Sequence, residues 1–431
     1  MVIYYLITFL VILIIINYII TNGDIVSPQN IVTLGFLGAS LFCTYLIDYY
    51  EVQLSWKTFL IIFLGLTFFS IGSTLVVLKS KKAFYMKEYY ENFIEYRPTT
   101  ISNVILITFC AITTVLFVFN VIKVAGGFNA LEEVTYVYRA KGYDGSNLQP
   151  FYVNQMIKLF KAIAYVYLFY FINNIVYTKK IKKNILLLFP TIFLIVVSIF
   201  GASRTELITI LCYVMVLVFF FNGRKKKYSR KASIRFAKYA VVAVSAFLIL
   251  FSSMRTMVGR KSTSDPMTYI ASYVGGSIEL LDIYIQDEGL ESKAEMFGEE
   301  TFYALRSNLG ISSKETGHQE FRRAKSGILV GNVYTSLRKY LHDFGVFGVV
   351  FIQTILGFFY TYWYKKTEKR LSINPSDHRI MFFAYFYVPI IKSFVQEETL
   401  SMYLCLNSLL TVILLYLVYY FTYKKRIVLR I

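Results

Sequence analysis

The sequence predicts an all-α, polytopic integral membrane protein, and three observations lead to this fold class. Of its 431 residues, 56% are apolar and only 16% are charged, whereas soluble domains average about a quarter charged. The apolar residues form blocks of about 18 to 23, long enough to cross a hydrocarbon core of ~30 Å as helices. These blocks lack the alternation of barrel strands. The composition therefore excludes a soluble enzyme, a disordered chain and a secreted disulfide scaffold.

We expect about eleven membrane-spanning helices in a single bundle. Their predicted bounds are 2–21, 30–47, 58–78, 101–122, 154–176, 185–202, 204–222, 237–255, 340–363, 380–396 and 400–422. The first block has no basic segment before it and no small-residue cleavage site after it, so we interpret it as a retained span and not a signal peptide. The span at 380–396 is the weakest, because it is short and contains Pro389 and Lys392.

The basic residues predict how the bundle is oriented. They concentrate in five connecting segments, which are 79–100, 178–184, 223–238, 365–379 and the C-terminal tail. With eleven spans all five lie on one side, and the positive-inside rule makes that side cytoplasmic, with the N-terminus outside and the C-terminus inside. The cytoplasmic segments then hold 26 Lys and Arg against 6 Asp and Glu. The net charge of +19 is therefore an orientation signal and not a nucleic-acid footprint.

This topology divides the chain into three parts. Residues 1–255 form spans one to eight, with an extracytoplasmic loop at about 123–153. Residues 256–339 form a large extracytoplasmic loop, in which the apolar stretch 265–285 is expected to lie on the membrane surface or re-enter it. Residues 340–431 form spans nine to eleven and the cytoplasmic tail. Because loops carry function more often than the helices that hold them, we expect the outer face to meet the substrate.

The sharpest local motif is Gly201–Glu206, which separates two apolar blocks on the outer side. Gly201 permits a tight turn, and Ser203 with Glu206 has the spacing of a capping box. A helix starting here points its amides and positive dipole end outward, so Arg204 would complete an anion site for a phosphate or diphosphate. The alternative is a well-capped turn whose arginine lies at the membrane interface.

Further ionisable candidates lie on the same side. They are Arg255 and Arg260 after the eighth span, Arg306, His318 and Glu320 in the large loop, and Arg338, His342 and Asp343 at the ninth span. His318 and Glu320 are candidate general bases for a sugar hydroxyl. Ionisable residues at a membrane span are functional candidates by default. The alternatives are interfacial anchors for the first pair, a solvated loop for the second group and a structural ion pair for the third.

The sequence contains no recognisable motif for binding a metal or a cofactor. The four cysteines lie far apart in apolar blocks and form no CxxC pair, so we interpret them as small core residues. The three histidines are scattered, and the sequence has no Walker loop, GxSxG or GxGxxG motif in a suitable context. We therefore predict neither a metal nor a cofactor.

Two stretches resemble a known family. GASRTELI, which opens a span, resembles the Gly-Ser-Arg signature of bacterial O-antigen and capsule polymerases. GNVYTSLRKYLHDFGVFG resembles the Asn-x-Tyr-Thr and Asp-Phe-Gly stretch of the oligosaccharide repeat unit polymerases of the Wzy type. The span number and the long outer loop in the second half also match that family. One feature departs from it, since an arginine-glycine repeat that some relatives carry in both long loops occurs here only in the second.

The resemblance implies a glycosyltransferase in the bacterial cytoplasmic membrane. Such enzymes join undecaprenyl-diphosphate-linked oligosaccharides at the outer face, moving the growing chain onto the non-reducing end of the next unit, and need no nucleotide sugar. Arg204 would contact the diphosphate, Tyr334 and Asp343 would belong to the later motif, and arginines of the outer loops would hold the saccharides. The expected partners are the lipid-linked substrate, membrane lipid and, in addition, a chain-length regulator, but no nucleic acid. An O-antigen-type ligase and a flippase or secondary transporter are the alternatives.

Overall fold

The computed structural model describes residues 1–80, 93–143, 148–225, 230–257, 265–311 and 319–424. Nearly all regular structure in these ranges is helical, as predicted. The helices are α1 (Val2–Ile20), α2 (Pro28–Tyr45), α3 (Ile47–Tyr50), α4 (Trp56–Lys79), α5 (Thr100–Ala125), α6 (Leu131–Tyr143), α7 (Phe151–Thr178), α8 (Ile181–Asn184), α9 (Phe189–Phe200), α10 (Arg204–Lys225), α11 (Arg230–Met257), α12 (Pro266–Val274), α13 (Gly276–Glu288), α14 (Tyr303–Asn308), α15 (Leu337–Ile373), α16 (Arg379–Ile391) and α17 (Leu406–Tyr419). A short antiparallel hairpin, β1 (Arg322–Arg323) and β2 (Leu329–Gly331), precedes α15.

Eight helical stretches of the described residues are long and apolar enough to cross a membrane. They are Val2–Ile20, Trp56–Lys79, Thr100–Ala125, Phe151–Thr178, Ile181–Phe200, Arg204–Asn222, Leu337–Leu371 and Leu406–Lys424. Each coincides with one of the predicted spans, so the prediction of a multi-pass helical membrane protein is confirmed. The other three predicted spans coincide with α2, α11 and α16, which are not among the eight.

The predicted bounds of the last two spans are wrong by several residues. Helix α16 ends at Ile391, and α17 begins only at Leu406. The intervening residues form turns and irregular structure, in which Glu397 accepts hydrogen bonds from the backbone amides of Leu400 (2.8 Å) and Ser401 (2.9 Å). We name residues 392–405 the α16–α17 connection.

The prediction that all four cysteines are core residues holds for three of them. Cys43, Cys110 and Cys212 are buried in the bundle. Cys405 is only partly buried, because it lies at the N-cap of α17 where the α16–α17 connection ends.

One end of the bundle gathers the loops on the side predicted to be basic. Tyr364, near the end of α15, donates a hydrogen bond to Asp24 in the α1–α2 loop (2.7 Å). Asn174, near the end of α7, donates to Asn184 (2.8 Å) and accepts from the amide of Tyr96 ahead of α5 (3.0 Å). We name this the basic end.

The opposite end, which we name the loop end, gathers the longer connections. Asp282 of α13 accepts hydrogen bonds from the hydroxyls of Ser55 (2.7 Å) and Thr58 (2.6 Å) at the start of α4. The amide of Ser336 donates to the carbonyl of Ser393 (2.8 Å), and this bond joins the start of α15 to the α16–α17 connection. Helices α2 and α16 each run from the basic end, near Asp24 and Ser376, to the loop end, near Ser55 and Ser393.

Among the described helices, α4 and α15 approach each other very closely, and glycines make this contact possible. A Cβ atom on Gly72 would lie 2.1 Å from the carbonyl oxygen of Thr354, and one on Gly357 would lie 2.1 Å from the carbonyl oxygen of Phe69. The hydroxyl of Ser73 donates to the carbonyl of Gly357 across the same contact (3.1 Å). Small residues let backbones approach closely, which is how helices pack strongly in a membrane.

We expect Gly357→Ala to destabilise the protein by at least about 1–3 kcal/mol, since the added methyl group collides with backbone that cannot move independently. The matched control is Gly38→Ala in α2, where a Cβ atom meets nothing within 4 Å. That change should be neutral or mildly stabilising, because alanine favours a helix. Thermal denaturation of the purified proteins in detergent measures both, and equal midpoints for the two variants would contradict the packing argument.

Candidate functional site

Arg204 lies at the first residue of α10, as the sequence predicts. Ala202 adopts a positive φ of 51°, which turns the chain sharply before the helix. The predicted capping box does not account for this turn, because the amide of Ser203 donates to the carbonyl of Ser198 (2.9 Å). Glu206 instead accepts from Lys161 (2.6 Å) and Tyr165 (2.7 Å), two side chains of α7. Packing against a neighbouring helix thus outweighs the local motif.

The Arg204 guanidinium contacts two tyrosines of the large loop. It donates to the hydroxyls of Tyr269 and Tyr273 on α12, and its central carbon lies 4.7 Å from the centre of the Tyr273 ring. Arg255, in the last turn of α11, lies 5.4 Å from the centre of the Tyr269 ring. We name these four residues the arginine–tyrosine cluster. Two of its members were predicted as anion-binding residues, and the fold brings them to the same tyrosine.

The position of α12 is set by its own start and by a close contact. Asp265 caps the helix by accepting from the amides of Met267 (2.9 Å) and Thr268 (3.0 Å). At its other end Gly275 approaches α2 so closely that a Cβ atom would lie 2.4 Å from the amide nitrogen of Cys43. The expected apolar stretch 265–285 is therefore a pair of helices, α12 and α13, packed on α2.

A second group of charges surrounds Arg338 at the start of α15. Its guanidinium, with only 3% of the side chain exposed, donates to Glu300 and to Glu320 (2.8 Å). Glu320 also accepts from Arg322 of β1 (3.0 Å), and Arg322 bonds in turn to Glu288 (2.9 Å). We name Arg338, Glu300, Glu320 and Arg322 the carboxylate cluster. The hairpin that carries Glu320 and Arg322 is folded against α13, which supplies Glu288.

Aromatic rings and a histidine enclose the carboxylate cluster. The Arg338 guanidinium lies 4.5 Å from the centre of the Tyr284 ring and 5.2 Å from that of Tyr334. Tyr284 shares a hydrogen bond with Nδ1 of His342 (3.0 Å), while Nε2 of His342 lies 3.7 Å from Glu300. Tyr334 donates to the backbone carbonyl of Glu320 (3.0 Å). Arg338, His342, Tyr334 and Glu320 were all predicted as site residues, and the structure brings them together.

Asp343 holds the loop that carries Glu300. Both of its carboxylate oxygens accept from the Glu300 amide (3.1 Å each), and one accepts from the Thr301 amide (2.6 Å). Its side chain is buried among these donors, with 5% of the residue exposed. Such contacts favour a positioning role for Asp343 over the catalytic role suggested by the sequence.

Gly345 explains why this loop docks at Asp343. Its backbone is non-helical (φ 62°, ψ −159°), a conformation that requires glycine, and it interrupts α15. The carbonyl of His342 is thereby available to accept from the amide of Lys293 (2.8 Å). The carbonyl of Asp343 accepts from the hydroxyl of Ser292 (2.8 Å). The Asp-Phe-Gly motif therefore acts here as a docking site for residues 289–302.

The pKa values of two carboxyl groups near these clusters, Glu320 and Glu279, are shifted in opposite directions. Burial would raise the pKa of Glu320, but Arg338 and Arg322 outweigh it and hold that pKa below its ordinary value. Glu279 of α13 is in the opposite state, because burial and the nearby Asp282 raise its pKa to about 7. Its Oε2 has no hydrogen-bond partner within the described parts of the chain. Glu320 is therefore a firmly held anion and a weak proton acceptor, whereas Glu279 is a buried, titratable acid.

The remaining predicted residues lie elsewhere. Arg306 of α14 is buried and donates to the sulfur of Met296 (2.9 Å) and the carbonyl of Ile311 (2.9 Å), apart from both clusters. Arg260 and His318 lie outside the described residues.

Several residues of the site were not predicted from the sequence. They are Glu300, Tyr284, Tyr269, Tyr273 and, outside both clusters, the buried ion pair between Lys392 and Glu398 (2.6 Å). The last pair had a signal, since Lys392 and the Gln-Glu-Glu run beginning at Gln396 interrupt two apolar blocks. The others are ordinary loop residues in sequence, and only their tertiary partners distinguish them.

The function of this chain has to be inferred from the two clusters themselves. No protein-family model, curated protein or solved structure matches the chain.

We expect Asp343→Asn to release the loop that carries Glu300, because an amide offers one acceptor oxygen in place of two charged ones. Lost hydrogen bonds to a charged group cost about 1.5–3 kcal/mol. Limited trypsin digestion should then cleave faster after Lys293, whose amide is bound to His342. The control is Asp287→Asn, since that side chain is 58% exposed and its ion pair with Arg322 lies at the surface, where such pairs contribute little, so its loss should leave cleavage unchanged. Equal cleavage in both variants would refute the positioning role.

We also expect a pH-dependent stability that originates from Glu279. Because its folded pKa is raised to about 7, folding favours the protonated acid, and this contribution is full below the unfolded pKa near 4.5 and is lost as pH rises to about 7. Glu279→Gln removes the penalty, so its stability advantage over the wild type should grow between about pH 4.5 and 7 to on the order of 3 kcal/mol and then remain constant. Denaturation midpoints across that pH range measure it, and a constant difference would contradict the assignment.

Proposed function

We propose that this protein is a polymerase of lipid-linked oligosaccharide repeat units, acting at the outer face of the bacterial cytoplasmic membrane. In this proposal α2, α11 and α16 join the eight apolar helices to give eleven spans. The basic end faces the cytoplasm, because the described loops there carry the excess of Lys and Arg. The loop end, with both charged clusters, then faces outward where a lipid-linked substrate is presented.

The observation that carries the proposal is the arginine–tyrosine cluster. Arg204 is the first residue of α10, and 6% of its surface is exposed. Its positive charge therefore adds to the positive pole at the N-terminus of that helix. Arg255 brings a second positive charge to Tyr269. Two guanidiniums at a helix start form a site suited to the two negative charges of a diphosphate.

The chemical step in this proposal is a displacement at the anomeric carbon. An acceptor sugar hydroxyl forms the new C–O bond, the bond from that carbon to the diphosphate breaks, and the lipid diphosphate leaves with the electron pair. Arginines aimed at the leaving group stabilise the charge that develops there, which is commonly the largest catalytic contribution. No nucleotide is consumed, because the donor already carries its leaving group.

The hydroxyl proton needs an acceptor, and the contacts reorder the predicted candidates. Asp343 is occupied by backbone amides and Glu320 is held by two arginines. Glu300 contacts only one arginine among the described residues, Arg338, and also faces Nε2 of His342, so we propose Glu300 as the proton acceptor. This assignment requires the carboxylate cluster and the arginine–tyrosine cluster to face one substrate cleft at the loop end.

The transporter alternative is less well supported. Each of the eight described spans contains an 18-residue window with at most two charged residues, whereas transporters place ionisable groups near the midplane. The charged clusters instead lie at one end of the bundle. A ligase would share the donor and the leaving group, and it differs only in the acceptor.

Membranes supplied with a purified undecaprenyl-diphosphate-linked repeat unit test the proposal. The wild type should form a ladder of lengthening chains, and Arg204→Ala should slow it about 100-fold or more, the effect of removing a preorganised oxyanion contact. The control is Arg323→Ala, because that exposed side chain bonds only to the nearby carbonyl of Gly327 among its described contacts.

Three outcomes would oppose the assignment. Wild-type elongation by Arg204→Ala would refute the diphosphate site. Transfer of whole preformed chains to another acceptor would identify a ligase, and movement of the lipid-linked unit across sealed vesicles without chain growth would identify a transporter.

A further inference from the structure

An exposed phenylalanine lies in the loop that docks on Asp343. Phe297 is 80% exposed, although residues 289–302 are held in place by hydrogen bonds to the carboxylate and the backbone of Asp343. Gly298 follows it with a φ of 64°, so the chain turns sharply at this point. A single exposed apolar side chain is ordinary at a protein surface. Its neighbours therefore decide what Phe297 contacts.

Phe297 is joined to α15 through aromatic contacts. Its ring centre lies 5.1 Å from that of Phe344, and its ring stacks on that of Phe302 with the centres 6.0 Å apart. Phe344 in turn lies over Gly348, because a Cβ atom on that glycine would overlap the Cβ atom of Phe344 and lie 3.1 Å from its Cγ. The ring of Phe297 therefore adjoins α15 at the residues around its interruption at Gly345.

The part of α15 that follows presents an exposed apolar face. Phe347 and Phe351 stack on each other with ring centres 5.7 Å apart, and both are more than half exposed. The same face continues with Ile355, Phe358, Phe359 and Tyr362. These positions recur at helical spacing on a helix that is long and apolar enough to cross a membrane. An apolar outer face on such a helix contacts lipid.

The level of Phe347 in the bundle can be compared with that of Trp56 at the start of α4. Trp56 and Tyr5 are exposed at the loop end with ring centres 5.4 Å apart, and tryptophan and tyrosine are enriched at membrane–water interfaces. Gly65 lies ~13 Å further along α4, and a Cβ atom on it would lie 3.3 Å from Val349. Phe347 precedes Val349 by only two residues, so it lies deeper in the membrane than Trp56.

We propose that Phe297 is a membrane anchor, with its ring inserted at the boundary between lipid headgroups and acyl chains at the loop end. The partner is lipid because the aromatic surface of Phe297 and Phe344 continues the lipid-facing side of α15. Apolar side chains of interfacial segments are buried to this depth in other membrane-bound proteins. The anchor would hold residues 289–302, and with them Glu300, against the bilayer. It requires only that α15 spans the membrane, so it is independent of the proposed polymerase activity.

Tryptophan fluorescence of the full-length protein in phosphatidylcholine vesicles tests the anchor. The chain has two tryptophans, and Trp56→Phe with Trp363→Phe removes both, so that Phe297→Trp supplies the single reporter. Phosphatidylcholine brominated near the headgroup end of an acyl chain quenches only rings that it touches. The reporter should lose about as large a fraction of its emission as native Trp56 does in the Trp363→Phe protein, because both rings lie at the interface.

The matched control is Phe321→Trp in the same double-substituted chain. Phe321 is 56% exposed, but it lies between Glu320 and Arg322, which are bound in the carboxylate cluster. A ring beside these charges should be quenched by aqueous acrylamide and not by bromine.

Two results would overturn the proposal. Bromine that leaves Phe297→Trp unquenched would show that the ring faces water or another protein. Equal bromine quenching of Phe297→Trp and Phe321→Trp would show that lipid contact is not specific to the anchor. If the double substitution prevents folding, both reporters are read in the native chain as emission in excess of its own two tryptophans.

Discussion

The close contact between α4 and α15 is the constraint on which the loop end depends. Gly72 and Gly357 let the two backbones touch, so the position of α15 is set by main-chain atoms and not by adaptable side chains. Because α15 is held in this way, its interruption at Gly345 also has a defined place. Arg338 and Asp343 lie just before that interruption, so the placement of α15 also determines where these two side chains lie.

Hydrogen bonds that involve backbone atoms connect α15 to the large loop and position it. The carbonyl of His342 and the carboxylate of Asp343 bind residues 293 and 300–301, which brings Glu300 to Arg338. Opposite charges then satisfy one another around a guanidinium with almost no exposure to water. Burial of a charge is tolerated only with such partners, so the carboxylate cluster is organised as a unit.

Local motifs predicted positions better than they predicted contacts. Arg204 was expected at the start of a helix and is found there, yet the capping box beside it gives way to the bonds of Glu206 with Lys161 and Tyr165. Similarly, the Asp-Phe-Gly stretch was expected to supply chemistry, but in the structure its aspartate and glycine shape the backbone. The partners that decide these outcomes come from α7 and from residues 289–302, distant in sequence.

The sequence by itself determined that this chain is a multi-pass helical membrane protein and where most of its spans begin, since block length and charge bias are local properties that lipid enforces directly. Only the tertiary structure decided that Tyr269 and Tyr273 meet Arg204, that Glu300 meets Arg338, and that residues 392–405 are not helical. Those outcomes depend on pairs of groups far apart in the chain that satisfy each other's hydrogen bonds and charges. The order of residues along the chain does not indicate which distant donor will bind a buried carboxylate.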